Sequence, residues 1–240
     1  MDKQSIREAV WDDLEGSGTA RFPFPPHGRI PNFAGASEAA GRLADQPEWR
    51  EAETIKANPD APQLPVRRRA LRAGKTVYMA VPRLRDEACF LELDPNVLDP
   101  EDYDEATTVS GSSKHGVQVV PADVEPIDLI VSGSVAVSEA GVRIGKGEGY
   151  SDLEYAILRE LGLVDAETPV ATTIHERQHR SSEDIEADDH DVPMDLVVTP
   201  ERVIRPDAST KPSGIDWDRL SEARLEEIPV LQSLKVDLGE

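Results

Sequence analysis

Residues 128–155 constrain the fold of this chain more than any other stretch. Asp128-Leu-Ile-Val-Ser-Gly-Ser-Val-Ala-Val-Ser138 is apolar and β-branched, as a buried strand should be. Shortly afterwards, Val142-Arg-Ile-Gly-Lys-Gly-Glu-Gly-Tyr-Ser-Asp-Leu-Glu-Tyr155 alternates Gly145, Gly147 and Gly149 with Lys146 and Glu148. Glycines at that spacing let the backbone turn tightly and approach a ligand without Cβ obstruction. Ser151 and Glu154 fit a capping box, and Leu153, Ala156, Ile157 and Leu158 supply an apolar run behind it. The pattern predicts a strand over 128–137, a glycine loop, and a helix over 151–161.

A loop of this kind, opening onto a helix, aims free N–H groups and the positive dipole end at one point, which suits a phosphate. Arg143 and Lys146 add two positive charges there. The same residues also suit a plain strand-to-helix turn with a solvated Lys146, since short glycine patterns recur by chance. The spacing is neither that of a Walker loop nor Gly-x-Gly-x-x-Gly. The preceding strand favours the phosphate reading.

The remaining pattern alternates strands and helices. Helices are expected over 2–15, with Ile6, Ala9, Val10 and Leu14 inward, from Ser37 to Leu43, and from Val66 to Ala73 before Gly74. Strands are expected at 53–57, 76–81, 88–93, 168–174, 195–199 and 203–204. Residues 95–115 and 181–191 are polar and acidic and read as loops, and Arg21 to Gly28 as a proline-rich loop. The order implies an α/β fold with a doubly wound, mostly parallel sheet covered by helices on both faces, its ligand beyond the carboxyl ends of the strands. One domain is expected over 1–206. Residues 207–240 should form a linker and a helical extension that docks on it through Trp217, Leu220, Leu225, Ile228, Val230, Leu231 and Leu234.

Charge narrows the partners. Forty-seven acidic against 26 basic residues leave a net charge of −21, a surface like that of salt-adapted proteins. Such a balance opposes nucleic acid or an anionic membrane as partner. Cys89 stands alone, so no intrachain disulfide can form. With no apolar run of membrane-spanning length and no apolar signal core, a cytoplasmic monomer is expected.

Candidate chemistry gathers at three further places. Asp152 opens the helix after the glycine loop and Asp195 precedes an apolar strand. Two carboxylates beside a phosphate site would suit Mg²⁺, although a helix-start acid and a turn acid explain each residue singly. Lys3 and Arg7, at i,i+4, can reach a triphosphate together, or simply pair with Asp2 and Glu8. His175, His179 and His190 match no zinc spacing and are read as surface residues. Ser132 lacks the Gly-x-Ser-x-Gly elbow of a hydrolase nucleophile.

At these residues the chain resembles the 5-formyltetrahydrofolate cyclo-ligases, or methenyltetrahydrofolate synthetases. Arg143-Ile-Gly-Lys-Gly-Glu-Gly-Tyr-Ser-Asp152 is similar to that family's Arg-Leu-Gly-x-Gly-x-Gly-Tyr-Tyr-Asp. Lys3-x-x-Ile-Arg7 resembles its Lys-x-x-Leu-Arg, and His190-Asp-Val-Pro-Met-Asp195 its His-Asp-x-x-x-Asp. Arg29 to Phe33, Ile55 to Asp60 and Gly145 to Tyr155 look more like the methenyltetrahydrofolate synthetase domain-containing branch. The resemblance implies ATP- and Mg²⁺-dependent closure of 5-formyltetrahydrofolate to 5,10-methenyltetrahydrofolate, with release of ADP and phosphate. It assigns ATP to Lys3, Arg7, Arg143, Gly145, Lys146, Gly147, Gly149 and Tyr150, Mg²⁺ to Asp152 and Asp195, and folate to Tyr150 and Asp60. Ser151 replaces the second Tyr of the motif, and Asn58-Pro-Asp-Ala-Pro-Gln63 stands where the family offers a glutamate-rich strand end. The alternatives are therefore a relative that binds nucleotide or another phosphorylated ligand without cyclising folate, and an RNA-associated protein, which the charge opposes.

Overall fold

Short, fully buried strands with β-branched side chains line up in parallel at the centre of the molecule, as strands covered on both faces do. The computed structural model describes residues 2–181, 185–207 and 210–238. Residues 182–184 of the expected acidic loop, 208–209 of the expected linker, and the last two of the extension lie outside them.

The chain opens with α1 (Lys3–Gly16), the antiparallel pair β1 (Ala20–Arg21) and β2 (Asn32–Phe33), then α2 (Ala36–Ala44) and α3 (Pro47–Glu51). It continues through β3 (Thr54–Ala57), α4 (Leu64–Arg72), β4 (Thr76–Ala80), β5 (Phe90–Leu93), α5 (Tyr103–Ala106), α6 (Val109–His115) and β6 (Val117–Val119). The second half holds β7 (Leu129–Val131), β8 (Ala136–Ser138), β9 (Arg143–Ile144), α7 (Tyr150–Glu160), β10 (Val170–Thr173) and β11 (His179–Arg180). β12 (Leu196–Val198), β13 (Val203–Ile204), α8 (Glu222–Glu227) and α9 (Pro229–Leu238) complete it.

Eight strands form one sheet in the order β13-β12-β10-β7-β3-β4-β5-β6. The five from β12 to β4 are parallel, whereas β13, β5 and β6 add antiparallel edges. Numbering those five parallel strands by chain position gives the doubly wound order 2-1-3-4-5. Its switch point lies between β3 and β7, where the connections leave in opposite directions and open a crevice. Asn58 to Asp60 leave β3 there, and Ser132 to Ser134 leave β7.

The expected strand over 128–137 is two strands in two sheets. β7 pairs in the central sheet, while β8 joins β9 and β11 in a separate three-stranded sheet. Gly133 marks the break: its N–H donates to Asn58 Oδ1 at 3.1 Å, and a Cβ there would meet the Asp60 carboxylate at 2.9 Å. The amphipathic helix α1 packs Ile6, Val10, Trp11 and Leu14 against Val135, Ala136, Val142 and Ile144 of the small sheet. Trp11 rather than Ala9 completes its inward face.

Residues 95–115 are not a loop. They carry a short 3-10 turn and the helices α5 and α6, which meet where Gly111 leaves no room for a side chain against the Glu105 carbonyl. This segment is held to α4 by the buried Arg67, which donates to Thr107 O at 2.9 Å. At the C-terminal end, Ile228, Val230, Leu231 and Leu234 are buried in the same apolar cluster as β3, β4 and β7.

Candidate functional site

A cavity of about 500 Å³ opens at the switch point. Asn58, Pro59 and Asp60 line it from the end of β3, Gly133 from the end of β7, and Ile144 to Asp152 from the glycine loop. Lys3, Arg7, Asp188, His190 and Asp191 close the opposite wall.

The glycine loop takes its shape from two residues with positive φ, Gly147 at 105° and Gly149 at 69°. Gly149 is the N-cap of α7 and contributes no capping side chain. The expected capping box is therefore absent. Ser151 Oγ turns instead to Asn58 Oδ1 and Ser132 Oγ, at 3.4 and 3.3 Å, and the Glu154 carboxylate pairs with buried Lys56. The N–H groups of Lys146, Gly147, Glu148 and Gly149 meet no acceptor among the described residues. They sit at the positive end of the eleven-residue helix α7, an arrangement that binds anions.

Arg143 is the electrostatic pivot of the site. Its guanidinium is buried and donates to Gly133 O at 2.9 Å and to Asp152 Oδ2 at 2.6 Å, joining the crevice to the start of α7. Burial opposes its charge, but the charge and hydrogen bond of Asp152 outweigh that and raise its pKa. Because α1 docks on the sheet that carries Arg143, its first two turns are brought to the loop. Arg7 Nε donates to Gly145 O at 2.7 Å. Burial, followed by the neighbouring Arg143 charge, lowers its pKa. Lys3 pairs not with its own helix but with Asp188 and Asp191, at 2.7 and 2.6 Å. Partial burial pulls the Lys3 pKa down, and the hydrogen bonds to these two carboxylates more than offset it. Among the described residues, Lys146 pairs with Glu148 alone, at 2.9 Å.

The expected carboxylate pair is not assembled. Asp152 lies at the cavity, but Asp195 stands at the amino end of β12, where it accepts from Val170 N at 2.8 Å and pairs with Lys211 at 2.7 Å. Parallel strands put their amino ends a strand length away from the crevice, so an acid preceding a strand points to the wrong edge. Asp191 instead lines the cavity with Asp152. The neighbouring Val192 N–H donates to Asp152 Oδ1 at 3.2 Å, and the ligand atoms of Asp188, His190 and Asp191 lie within 4.8 Å of one another. His190, read as a surface residue, thus belongs to the cavity wall. Carboxylate oxygens suit Mg²⁺, and the Lys3 ammonium already occupies a cation position between two of them. The residues present therefore fit a divalent ion.

Asp60 faces the cavity from the β3 end, its side chain partly buried. Burial raises its pKa, against the pull of the Lys146 and Arg67 charges. Tyr150 stands at the mouth of the cavity, its ring covered on one side by Arg224. The sequence reading missed Asn58 and Glu154 in the floor, the buried Lys56 that pairs with Glu154, and Asp188 and Asp191 in the wall. A lysine inside the apolar strand 54–57 was the available signal for the floor, because a charge buried there requires a partner.

Residues 2–200 match the 5-formyltetrahydrofolate cyclo-ligase family. The mouse methenyltetrahydrofolate synthase domain-containing protein is 44% identical over 237 residues, covering 98% of this chain and 63% of the mouse protein. The human protein of the same description is 39% identical, over 98% of this chain and 62% of its own length. The chain thus spans less than two-thirds of these relatives. The solution structure of Aquifex aeolicus 5,10-methenyltetrahydrofolate synthetase shares the fold, with a TM-score of 0.53 at 17% identity over 92% of this chain and all of that one.

Proposed function

Because the chain belongs to the 5-formyltetrahydrofolate cyclo-ligase family, we propose that it uses ATP with Mg²⁺ to close 5-formyltetrahydrofolate into 5,10-methenyltetrahydrofolate, releasing ADP and phosphate. The observation that carries this reading is the meeting, in one cavity, of the glycine-loop amides and the Asp60 carboxyl. The first suits phosphate oxygens; the second suits an N–H-rich heterocycle.

In this reading the amides of Lys146 to Gly149, with Arg7 and Lys146, hold the triphosphate. Asp191, with Asp188 and Asp152, would hold Mg²⁺, which would supply charge neutralisation at the phosphates. With the ion held by these carboxylates, Lys3 would be available to a phosphate oxygen. Arg143 lines the same cavity and, through its hydrogen bond, also orients Asp152. Phosphorylation of the formyl oxygen makes it a leaving group, and the N10 amine then closes the ring. The protein's share is positioning the reactants and offsetting charge on the transferring oxygens.

A direct test mixes the folded protein with ATP, Mg²⁺ and 5-formyltetrahydrofolate and follows the ultraviolet band of the methenyl product. No band at any salt concentration, with the protein folded, would overturn the reading. A second reading, binding of a phosphorylated ligand without folate cyclisation, is favoured by the floor. There Ser151, Asn58, Lys56 and Glu154 form a hydrogen-bonded network where the motif otherwise carries a second tyrosine. It predicts thermal stabilisation by ATP with Mg²⁺ and none by any folate.

A further inference from the structure

We propose that Arg224, beyond the stretch that matches the family, is a positioning residue that holds the glycine loop in its phosphate-binding shape. Its guanidinium carbon lies 3.9 Å from the centre of the Tyr150 ring, and its Nη2 donates to Glu148 O at 2.8 Å. One planar cation thus grips both the last peptides of the loop and the first side chain of α7. The grip is reinforced at Glu227, which accepts from the Tyr150 hydroxyl at 3.4 Å and faces Arg224 Nη1 at 3.9 Å.

The clamp is itself anchored. Ser221 caps α8, accepting from Arg224 N at 3.2 Å, and Ile228 and Leu231 just beyond are fully buried in the main core. The loop needs such a hold. Gly147 and Gly149 give it wide conformational freedom, and that freedom must be lost when four amides converge on one anion. A contact that removes it beforehand strengthens binding without touching the ligand. The contact also leaves the N–H groups of Lys146 to Gly149 free, because Arg224 engages a carbonyl and a ring face only.

The role in ligand binding rests on the nucleotide reading above; the clamp itself does not. The test uses the full chain as wild type, Arg224→Ala, Arg224→Lys and Arg219→Ala. The last removes the same charge from the same segment with no hydrogen bond or ion pair to the loop among the described residues. Hydrogen exchange of residues 145–151, read by mass spectrometry without ligand, reports on the clamp. Calorimetric titration of ATP with Mg²⁺ reports on binding. Arg224→Ala should speed exchange in that peptide alone and weaken nucleotide affinity about tenfold, the size expected for a partly desolvated cation–π contact. Arg224→Lys, which keeps the charge but not the planar stack, should fall between, and Arg219→Ala should match wild type in exchange of that peptide. Unchanged exchange in both Arg224 variants overturns the clamp. Faster exchange with unchanged affinity overturns its role in binding. If the wild type binds no ATP while Arg224→Ala still exchanges faster, the clamp stands and the nucleotide reading falls.

Discussion

Asp60 shows how a single partly buried carboxyl couples this site to pH. Its pKa is raised on folding by burial, so its ionised form destabilises the folded chain. That cost is complete above the raised pKa and disappears below the ordinary value of 3.8. Asp60→Asn should therefore melt above wild type at neutral pH, with the difference shrinking as pH falls and absent in strong acid; thermal scans across pH would show it. The two candidate metal acids separate equally cleanly. Asp191→Asn should weaken Mg²⁺-dependent ATP binding tenfold or more, while Asp195→Asn leaves it unchanged and lowers stability by about 1–2 kcal/mol, through the contacts it makes to Val170 and Lys211. Calorimetry of both variants decides which aspartate serves the cavity. At the floor, the Lys56–Glu154 pair is buried, so Lys56→Met, which strands one buried charge, should cost about 3–5 kcal/mol in denaturant unfolding.

Among the elements, α7 and α1 matter most. α7 begins at a glycine with φ of 69°, so Gly149→Ala would force a side chain into the left-handed region at roughly 1–2 kcal/mol. Among the described residues nothing lies within 4 Å of the added Cβ, so the cost is backbone strain rather than a clash. Circular-dichroism melts should show that loss, and phosphate-ligand affinity should fall with it as the loop relaxes. α1 shows how an amphipathic stripe becomes a functional part. Its inward face was legible in the spacing of Ile6, Val10 and Leu14, yet what that face covers was not. Docking on β8 and β9 is what carries Arg7 to Gly145 and Lys3 to Asp191.

For the whole molecule, the net charge of −21 makes self-repulsion a standing cost. Raising salt from low millimolar to about 1 M should increase the melting temperature, as screening shortens the reach of that repulsion. Residues beyond 206 are part of the same core: Ile228, Val230, Leu231 and Leu234 are buried, each worth about 1.5–3 kcal/mol relative to exposure. We propose that the chain folds as one unit rather than as a domain with an appended tail. A chain ended at residue 206 should lose its cooperative melt, and an unchanged melt would count against that unity.

The alternation of apolar strands with amphipathic helices determined the α/β class, and the glycine spacing with its cations marked the loop at the crevice. Those signals are local, because strand and helix periodicity and glycine's φ freedom act within a few residues. Which carboxylates share the cavity was decided by topology: Asp195 and Asp191 are four residues apart, yet one faces the amino end of the sheet and the other the crevice. The capping box failed for the same reason, since Ser151 and Glu154 found partners on β3 and beyond β7 rather than on their own helix. Arg224 over Tyr150 joins residues 74 positions apart, and no pattern in the chain could announce it. Contacts of that range exist only once the core has brought their elements together.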